Sequence, residues 1–423
     1  MAKKKKECAK SGAKKIESSA NATERKVKAT PKSAKKAAPR AKIDLISRAQ
    51  YDPKYLNSLP RALLDKDCGC GDPTPWVEEG QTVLHLGSGS GKVSYLLAQK
   101  VGAEGCVIGV EASDAKLALA RQYQTEMGEK LGYRNFLFAK GYPHDLALDL
   151  ERAQEWLDAH PIRSMEDIAV FEDECERMRL ERPLIADASV DVVITDCAFD
   201  RVRPDELHHL FEELDRVLKN GGRVILSEIV CDEEPPLEML LSNPELMLGC
   251  TAGTLREDTI LEMLEHAGFH GLQILARPAE PWRVVEGIEF RPITVRAFKA
   301  EIDEDLDLNQ AIIYKGPWQR VIDDADHVLL RGQRVAVSDQ TFQVLTDPAG
   351  PYHEQVIPVP PLEAVDPEAA MPFESEKARL RHPRETKGMM DRCGCNHGGD
   401  CDCDDDCDCD HDGGHHGGGH HCC

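Results

Sequence analysis

Short apolar runs alternate with longer amphipathic segments along the first two thirds of the chain. The apolar runs are rich in β-branched residues and bounded by Gly, Pro or Asp, which is typical of buried strands. They predict strands at residues 82–86, 135–141, 190–196 and 222–230, and in a further run that ends at Glu111. The segments between them predict helices, notably at 114–131 and 205–219. Strands and helices that alternate at this spacing favour an α/β fold with a doubly wound, mostly parallel sheet.

Two regions depart from this alternation. Residues 146–183 are highly charged and have helical patterns, which predict a helical insertion between two strands. Beyond residue 277 the apolar runs, beginning with ITVRAFKA, predict a small β-rich C-terminal module at 278–358. A Pro-rich linker is predicted at 359–390. The main domain is therefore expected at 43–277, with the insertion inside it.

Charge is distributed unevenly along the 423 residues, whose formal net charge is −23. Residues 1–42 are rich in Lys, Ala and Ser and predict a disordered tail. We interpret this tail as a solvated segment, and nucleic acid contact through its lysines is an alternative that we do not favour. No apolar run reaches the length of a membrane span and no export leader is evident, so we expect no membrane association. We expect a cytoplasmic protein whose 16 cysteines are thiols.

A strand, a glycine-rich turn, a helix and a second strand follow one another between residues 82 and 113. The turn LGSGSG contains Gly87, Gly89 and Gly91, which allow a tight turn and close approach of the backbone to a ligand. This G-x-G-x-G spacing suits a single nucleoside better than a dinucleotide. Glu111, at the end of the second strand, suits the hydroxyls of a ribose. The segment therefore predicts a nucleoside cofactor site.

Three cysteines flank the expected crevice. Cys197 directly follows the strand VDVVITD, at the strand end that faces the ligand in open α/β sheets. Cys250 follows the next strand, and Cys70 lies in CGCGDPTP just before the first one. A single cysteine at any of these positions is usually a small buried hydrophobe. Three of them around one crevice favour a shared role.

Four segments together resemble the arsenite methyltransferases, which are class I S-adenosylmethionine-dependent methyltransferases with a Rossmann-like fold. These segments are CGCGDPTP, VLHLGSGSG, ITDCAFDRV with the later RVLKNGGRV, and LGCTAGTL. The resemblance runs from about Tyr51 to Lys299 and implies that Cys70, Cys197 and Cys250 bind trivalent arsenic. Trivalent arsenic is soft and thiophilic, so three thiolates can hold it with its lone pair facing the cofactor methyl group.

The same resemblance implies S-adenosylmethionine as cofactor. Residues matching or adjoining the family's cofactor site are His85, Gly87, Ser88, Gly89, Gly91, Glu111 and Asp145. Asp145 stands where such enzymes often contact the adenine amine. His85 replaces the usual carboxylate of the glycine-rich turn, and Asp196 replaces an asparagine before the central cysteine.

Residues 391–423 form a tail of cysteine, histidine, aspartate and glycine that has no means of building an apolar core. We predict that it is disordered and binds a thiophilic metal or metalloid ion, although its spacing fits no single zinc-finger pattern. The alternative is a solvated acidic tail that binds metal only adventitiously. The candidate ligands are Cys393, Cys395, Cys401, Cys403, Cys407, Cys409, His411, His415, His416, His420, His421, Cys422 and Cys423.

The function that we favour on the sequence is methylation of arsenite with S-adenosylmethionine, an arsenic detoxification reaction. The expected partners are arsenite, or another small-molecule methyl acceptor, and a cellular thiol reductant. Two alternatives stay open because of the changes at His85 and Asp196. One is a methyltransferase for a different small molecule, and the other is an inactive scaffold that sequesters metal or metalloid.

Overall fold

The structure is a computed structural model, and it divides the chain into two compact units with a boundary between residues 303 and 304. Residues 350–352 return to the first unit. Both predicted tails lie outside the described residues. The described residues are 51–64, 70–199, 202–247, 251, 253–299, 306–324, 326–348, 350–373 and 379–388.

A nine-stranded sheet runs through the first unit. Its strands are β1 (Thr82–Leu86), β2 (Cys106–Glu111), β3 (Phe136–Lys140), β4 (Val190–Asp196), β5 (Leu218–Cys231), β6 (Leu255–Arg256), β7 (Phe269–Ala276), β8 (Arg283–Val285) and β9 (Ile288–Lys299). The order is β3-β2-β1-β4-β5-β9-β7, with β6 paired to β5 and β8 to β9. Strands β1 to β6 pair in parallel, whereas β9 is antiparallel to β5, β7 and β8. The predicted α/β fold with a mostly parallel sheet is confirmed.

Ten α-helices lie among the described residues of the first unit. They are α1 (Pro53–Leu56), α2 (Arg61–Leu64), α3 (Lys92–Val101), α4 (Asp114–Gln122), α5 (Gln124–Leu131), α6 (Leu150–Ala159), α7 (Met165–Glu181), α8 (Leu207–Val217), α9 (Leu237–Ser242) and α10 (Glu257–His266). Helices α6 and α7 occupy the predicted insertion between β3 and β4. The helix predicted at 114–131 is divided at Tyr123 into α4 and α5. Each described helix is too short or too polar to cross a bilayer.

Strand β4 shows why the sheet is buried on both faces. Val192 and Ile194 pack in one apolar cluster with Leu96 of α3, whereas Val193 packs in another with Leu214 of α8. A strand covered by helices on both faces is apolar at successive positions rather than at alternate ones. Because helices cover both faces of the sheet, polar groups can reach a ligand only at the ends of the strands.

The second unit is mainly β-structure. Its elements are β10 (Leu306–Asp307), β11 (Ala311–Tyr314), β12 (Arg320–Ile322), β13 (Val328–Leu330), β14 (Arg334–Ala336), α11 (Asp339–Thr346), β15 (Val356–Val359) and β16 (Met371–Pro372). Strands β14, β11 and β15 form one antiparallel sheet in that order, and β12–β13 and β10–β16 form two antiparallel pairs.

The predicted start of the C-terminal module at residue 278 is wrong. The run ITVRAFKA does not open that module, because its residues Ile293–Lys299 belong to β9 of the central sheet. Thr294 lies opposite Ser227 of β5, so this run is a central strand between β5 and β7. A short apolar run has the same pattern in either sheet, which is why the sequence placed it in the wrong one.

The predicted linker at 359–390 also needs correction, because much of it belongs to the second unit. Arg381 is buried there, and its guanidinium donates to Asp307 Oδ1 over 2.6 Å and to Glu385 Oε2 over 3.0 Å. Thr386 is buried as well, and its carbonyl accepts from the amide of Leu362 over 2.6 Å. Charged residues of the predicted linker therefore form buried ion pairs.

Replacing Leu214 with alanine tests the core. Leu214 is fully buried in α8, so Leu214→Ala should lower the free energy of unfolding by about 2–5 kcal/mol in urea titrations. Leu180→Ala is the matched control, because Leu180 of α7 is 81% exposed and its loss should change stability by under about 0.5 kcal/mol. Equal effects of the two substitutions would contradict this packing.

Candidate functional site

The glycine-rich turn joins β1 to the N-terminus of α3, and its glycines have left-handed backbone conformations. Gly87, Gly89 and Gly91 have φ angles of +65°, +57° and +88°. A Cβ atom on Gly91 would lie 2.8 Å from Cζ of Phe138. Glycine is therefore needed at Gly91 both for its φ and for space, and the turn stays open toward the crevice.

Glu111 fixes this turn from the end of β2. Its carboxylate is buried and accepts hydrogen bonds from the amides of Gly89 (3.0 Å) and Ser113 (2.8 Å). A cavity of about 440 Å³ opens beside it, within the range of small-molecule sites. The residues that line this cavity are Gly87, Val110, Glu111, Ala112, Ser113, Tyr142 and Pro143.

Tyr142 is a cavity residue that the sequence reasoning missed. It lies in the turn after β3, and its ring stacks on His144 with 5.3 Å between ring centroids. An aromatic residue at the carboxyl end of a parallel strand was the available signal. A flat apolar ring beside the cavity suits the face of a purine.

Asp145, predicted to contact adenine, is held by the insertion. Its carboxylate pairs with Arg179 of α7, with Oδ2 and Nη2 2.9 Å apart, and accepts from the amide of Leu148 over 3.0 Å. It lies outside the residues that line the cavity. These contacts give Asp145 a structural role, and its contact with a cofactor stays a prediction.

His85 lies under the glycine-rich turn and is buried. Its Nδ1 is 2.8 Å from Oγ of Ser94 in α3. Burial lowers the pKa of His85 to about 3, so the ring is neutral at physiological pH. Within the described residues, Nε2 of His85 and Oγ of Ser88 have no hydrogen-bond partner. Two such buried polar atoms beside an open glycine cradle fit a polar ligand such as the predicted nucleoside.

Two of the three predicted thiol ligands lie together. Cys70 and Cys197 are joined as a disulfide with their Cα atoms 6.1 Å apart, although 127 residues separate them in sequence. Their sulfur atoms and a carboxylate oxygen of Asp196 all lie within 4.8 Å of one another. Cys250 lies outside the described residues, so its place in this site stays a prediction. The same holds for the metal ligands predicted in the tail.

Backbone hydrogen bonds at the end of β4 hold this cysteine pair in place. The amide of Cys70 donates to Oδ1 of Asp196 over 2.5 Å. Cys197 has a φ of +55°, a left-handed conformation that is uncommon for a residue with a side chain, and its amide donates to the carbonyl of Ser227 over 2.9 Å. The surrounding hydrogen bonds therefore stabilise a conformation that turns the chain sharply at Cys197.

Glu228 of β5 supports that turn, and the sequence reasoning missed it. Its buried Oε1 accepts from Oγ1 of Thr195 over 2.9 Å and from the amide of Ala198 over 3.0 Å. The signal was a single carboxylate inside the apolar strand GRVILSEIV. A buried carboxylate needs several donors, so Glu228 fixes the residues on both sides of Cys197.

The glycine-rich turn lies against the loop that begins at Cys197. A Cβ atom on Gly87 would lie 3.3 Å from Cβ of Ala198, the residue directly after Cys197. Cys231, a further buried thiol at the end of β5, shares an apolar cluster with Cys70 and Cys197. Burial raises the pKa of Cys231 to about 11, so it is protonated at neutral pH.

Comparison with known proteins gives two family matches. Residues 77–268 match a methyltransferase domain. Residues 301–391 match a domain of unknown function (DUF8838), whose start agrees with the boundary between the two units.

Similar proteins include two curated arsenite methyltransferases. The one from Aquipseudomonas alcaligenes is 28% identical over 304 residues, which cover 68% of this chain and 76% of that protein. The one from Mus musculus is 26% identical over 315 residues, covering 71% and 74%. A similar solved structure is an arsenic(III) S-adenosylmethionine methyltransferase from Chlamydomonas reinhardtii, at 24% identity and a TM-score of 0.48, covering 76% of this chain and 98% of that one.

Gly91→Ala should weaken S-adenosylmethionine binding at least tenfold, because the new Cβ would clash with Phe138 and displace the turn. Gly132→Ala is the matched control. Gly132 has a similar φ of +77°, but nothing lies within 4 Å of the added Cβ. Left-handed strain should cost each variant about 1 kcal/mol of stability in urea unfolding, and the clash with Phe138 should add to the loss in Gly91→Ala. Calorimetry that finds equal cofactor affinity in both variants would contradict this role for the turn.

His85 should make the protein less stable in acid. Its folded pKa of about 3 lies below the unfolded value of about 6.5, so its stability contribution is complete above pH 6.5 and falls as the pH drops toward 3. Between pH 7 and pH 5 the wild type should lose about 2 kcal/mol more unfolding free energy than His85→Asn. Parallel urea unfolding curves at the two pH values measure this difference, and identical losses would show that His85 is not buried as a neutral ring.

Proposed function

We propose that this chain methylates trivalent arsenic held by cysteine thiolates. Its similarity to curated arsenite methyltransferases and its match to a methyltransferase domain support an S-adenosylmethionine-dependent enzyme of that family. The observation that carries this proposal is the contact between two sites. Gly87 of the cofactor turn lies against Ala198, next to Cys197 of the thiol pair. A methyl donor and a soft acceptor bound at these two places would be neighbours.

The glycine-rich turn and Glu111 are the residues that we propose for cofactor binding. The turn offers an open backbone, and the cavity beside Glu111 offers a wall for the adenosine part. Tyr142 and Pro143 supply apolar surface on the side of β3. When bound, S-adenosylmethionine supplies an electrophilic methyl group on a positively charged sulfur. Neutral His85 adds no charge beneath the turn.

Cys70, Cys197 and Cys250 are the thiols that we propose for arsenic binding. Arsenous acid reacts with three thiols to form three As–S bonds and releases three molecules of water. Thiolate sulfur suits a soft ion, and the burial of Cys70 and Cys197 excludes competing water. The acceptor atom in such a complex carries a lone pair and no proton.

Transfer to arsenic therefore needs no general base. The residues act by holding the arsenic atom in place, and good alignment of two reactants can supply roughly 7–11 kcal/mol. Cys197 is well suited to this task, because the hydrogen bonds to Ser227 and Glu228 fix the backbone on both sides of it.

The disulfide between Cys70 and Cys197 is a form that has no free thiols for arsenic at these two positions. Two electrons and two protons are needed to reopen it. A cellular thiol reductant supplies both, and becomes a disulfide itself. We therefore propose that the enzyme works only with such a reductant present.

Cys197→Ser should abolish arsenite methylation, with at least a hundredfold loss of product, because a serine hydroxyl is a poor ligand for soft arsenic. The affinity for S-adenosylmethionine should stay within about twofold, since the thiol holds the acceptor rather than the cofactor. Cys175→Ser is the matched control, because Cys175 is a buried free thiol of α7 in the insertion. It should methylate arsenite normally.

Chromatography of methylated arsenic and calorimetry with S-adenosylmethionine give the two readouts. Loss of cofactor binding in both Cys70→Ser and Cys197→Ser would contradict the proposal, because these cysteines would then be structural. Full activity of Cys197→Ser would contradict it as well.

A further inference from the structure

A carboxylate shares the thiol site. Asp196 is the last residue of β4, directly before Cys197, and it is 9% exposed. Its Oδ1 accepts from the amide of Cys70, which aligns the carboxylate with the loop that carries the first thiol. The two sulfur atoms and a carboxylate oxygen lie within 4.8 Å of one another. The site therefore offers two soft donors and one charged oxygen donor.

This donor set matches a tetrahedral divalent cation. Zinc binds cysteine sulfur at about 2.3 Å and carboxylate oxygen at about 2.0–2.2 Å, which places neighbouring ligand atoms roughly 3.5–3.8 Å apart. After reduction of the disulfide the two sulfur atoms can move apart to that spacing, and a carboxylate oxygen of Asp196 already lies within 4.8 Å of both. Three protein ligands and one water are the usual set at open zinc sites.

Charge favours a cation over arsenic at Asp196. Arsenous acid is neutral, and in its thiol complex each bond goes to sulfur, so the carboxylate contributes no bond. A divalent cation bound by two thiolates still accepts oxygen ligands, so the adjoining Asp196 carboxylate can bond to the cation directly.

We propose that Cys70, Asp196 and Cys197 form a site for a divalent thiophilic cation of the zinc and cadmium class. Binding requires the reduced pair, and the cation displaces one proton from each thiol as two metal–sulfur bonds form. The Asp196 carboxylate is the third ligand and water the fourth. Because two ligands are shared, the cation excludes arsenic from the site. This competition rests on the proposed function, whereas the cation site itself does not.

Cadmium titration of the full-length protein tests the site. The parent chain has the eight cysteines from Cys393 to Cys423 replaced by serine, so that tail thiols do not contribute. It is reduced with a phosphine, which is not a thiol ligand, and Cd²⁺ is followed by the ultraviolet charge-transfer absorbance of cadmium–thiolate bonds. We expect one tightly bound equivalent that Cys197→Ser removes and the control Cys175→Ser retains. Absence of this equivalent from the parent would overturn the proposal.

Asp196→Asn isolates the carboxylate, because the amide oxygen can still accept from the Cys70 amide. Cadmium affinity should fall at least tenfold, whereas arsenite affinity by calorimetry should change less than threefold. Equal cadmium affinity in the two proteins would overturn the carboxylate's role. If Asp196→Asn loses both cadmium binding and arsenite binding, Asp196 acts through structure alone, and its proposed role as a ligand is overturned as well. Cadmium binding without arsenite binding in the parent would leave the cation site standing and contradict the proposed function instead.

Discussion

The parallel pairing of β4 with β1 and β5 is the constraint on which the site depends. Leu86 lies opposite Thr195, and Asp196 lies opposite Ser227, so these strands end at one edge of the sheet. The glycine-rich turn follows β1 and the loop that begins at Cys197 follows β4 at that shared edge. A register shift of one residue would turn the side chain of Asp196 to the other face. Contacts across the sheet thus set the distance between the proposed cofactor site and the proposed arsenic site.

Buried carboxylates hold the backbone at this edge of the sheet. In the proposed reaction, the cysteine sulfur atoms bind the arsenic. Glu111 accepts from the glycine-rich turn, and Glu228 accepts from the residues beside Cys197. These hydrogen bonds satisfy charges that would otherwise be costly to bury. His85 is neutral because it is buried. These hydrogen bonds fix the backbone around Cys197, as the proposed positioning of arsenic requires.

The sequence predicted the elements that have strong local signals. Periodicity and the glycine spacing were enough for the parallel strands and the glycine-rich turn, and the family resemblance for the proximity of Cys70 and Cys197, although free thiols rather than a disulfide were expected. Glu228 escaped prediction because its partners come from a different strand. Asp145 was predicted to contact the cofactor. Its ion-pair partner Arg179 lies 34 residues away in sequence, so this pair was not predictable from the local pattern. Arg381 looked like part of a solvated linker for the same reason.

Calorimetric titration of the reduced full-length protein with S-adenosylmethionine, with and without arsenite, tests the central claim most directly. The claim is that methyl donor and arsenic occupy adjoining sites in one protein. If so, each ligand should change the affinity for the other by the same factor, and we expect the cofactor to bind severalfold more tightly with arsenite present. Failure to bind S-adenosylmethionine, or an affinity that arsenite leaves unchanged, would contradict a coupled active site.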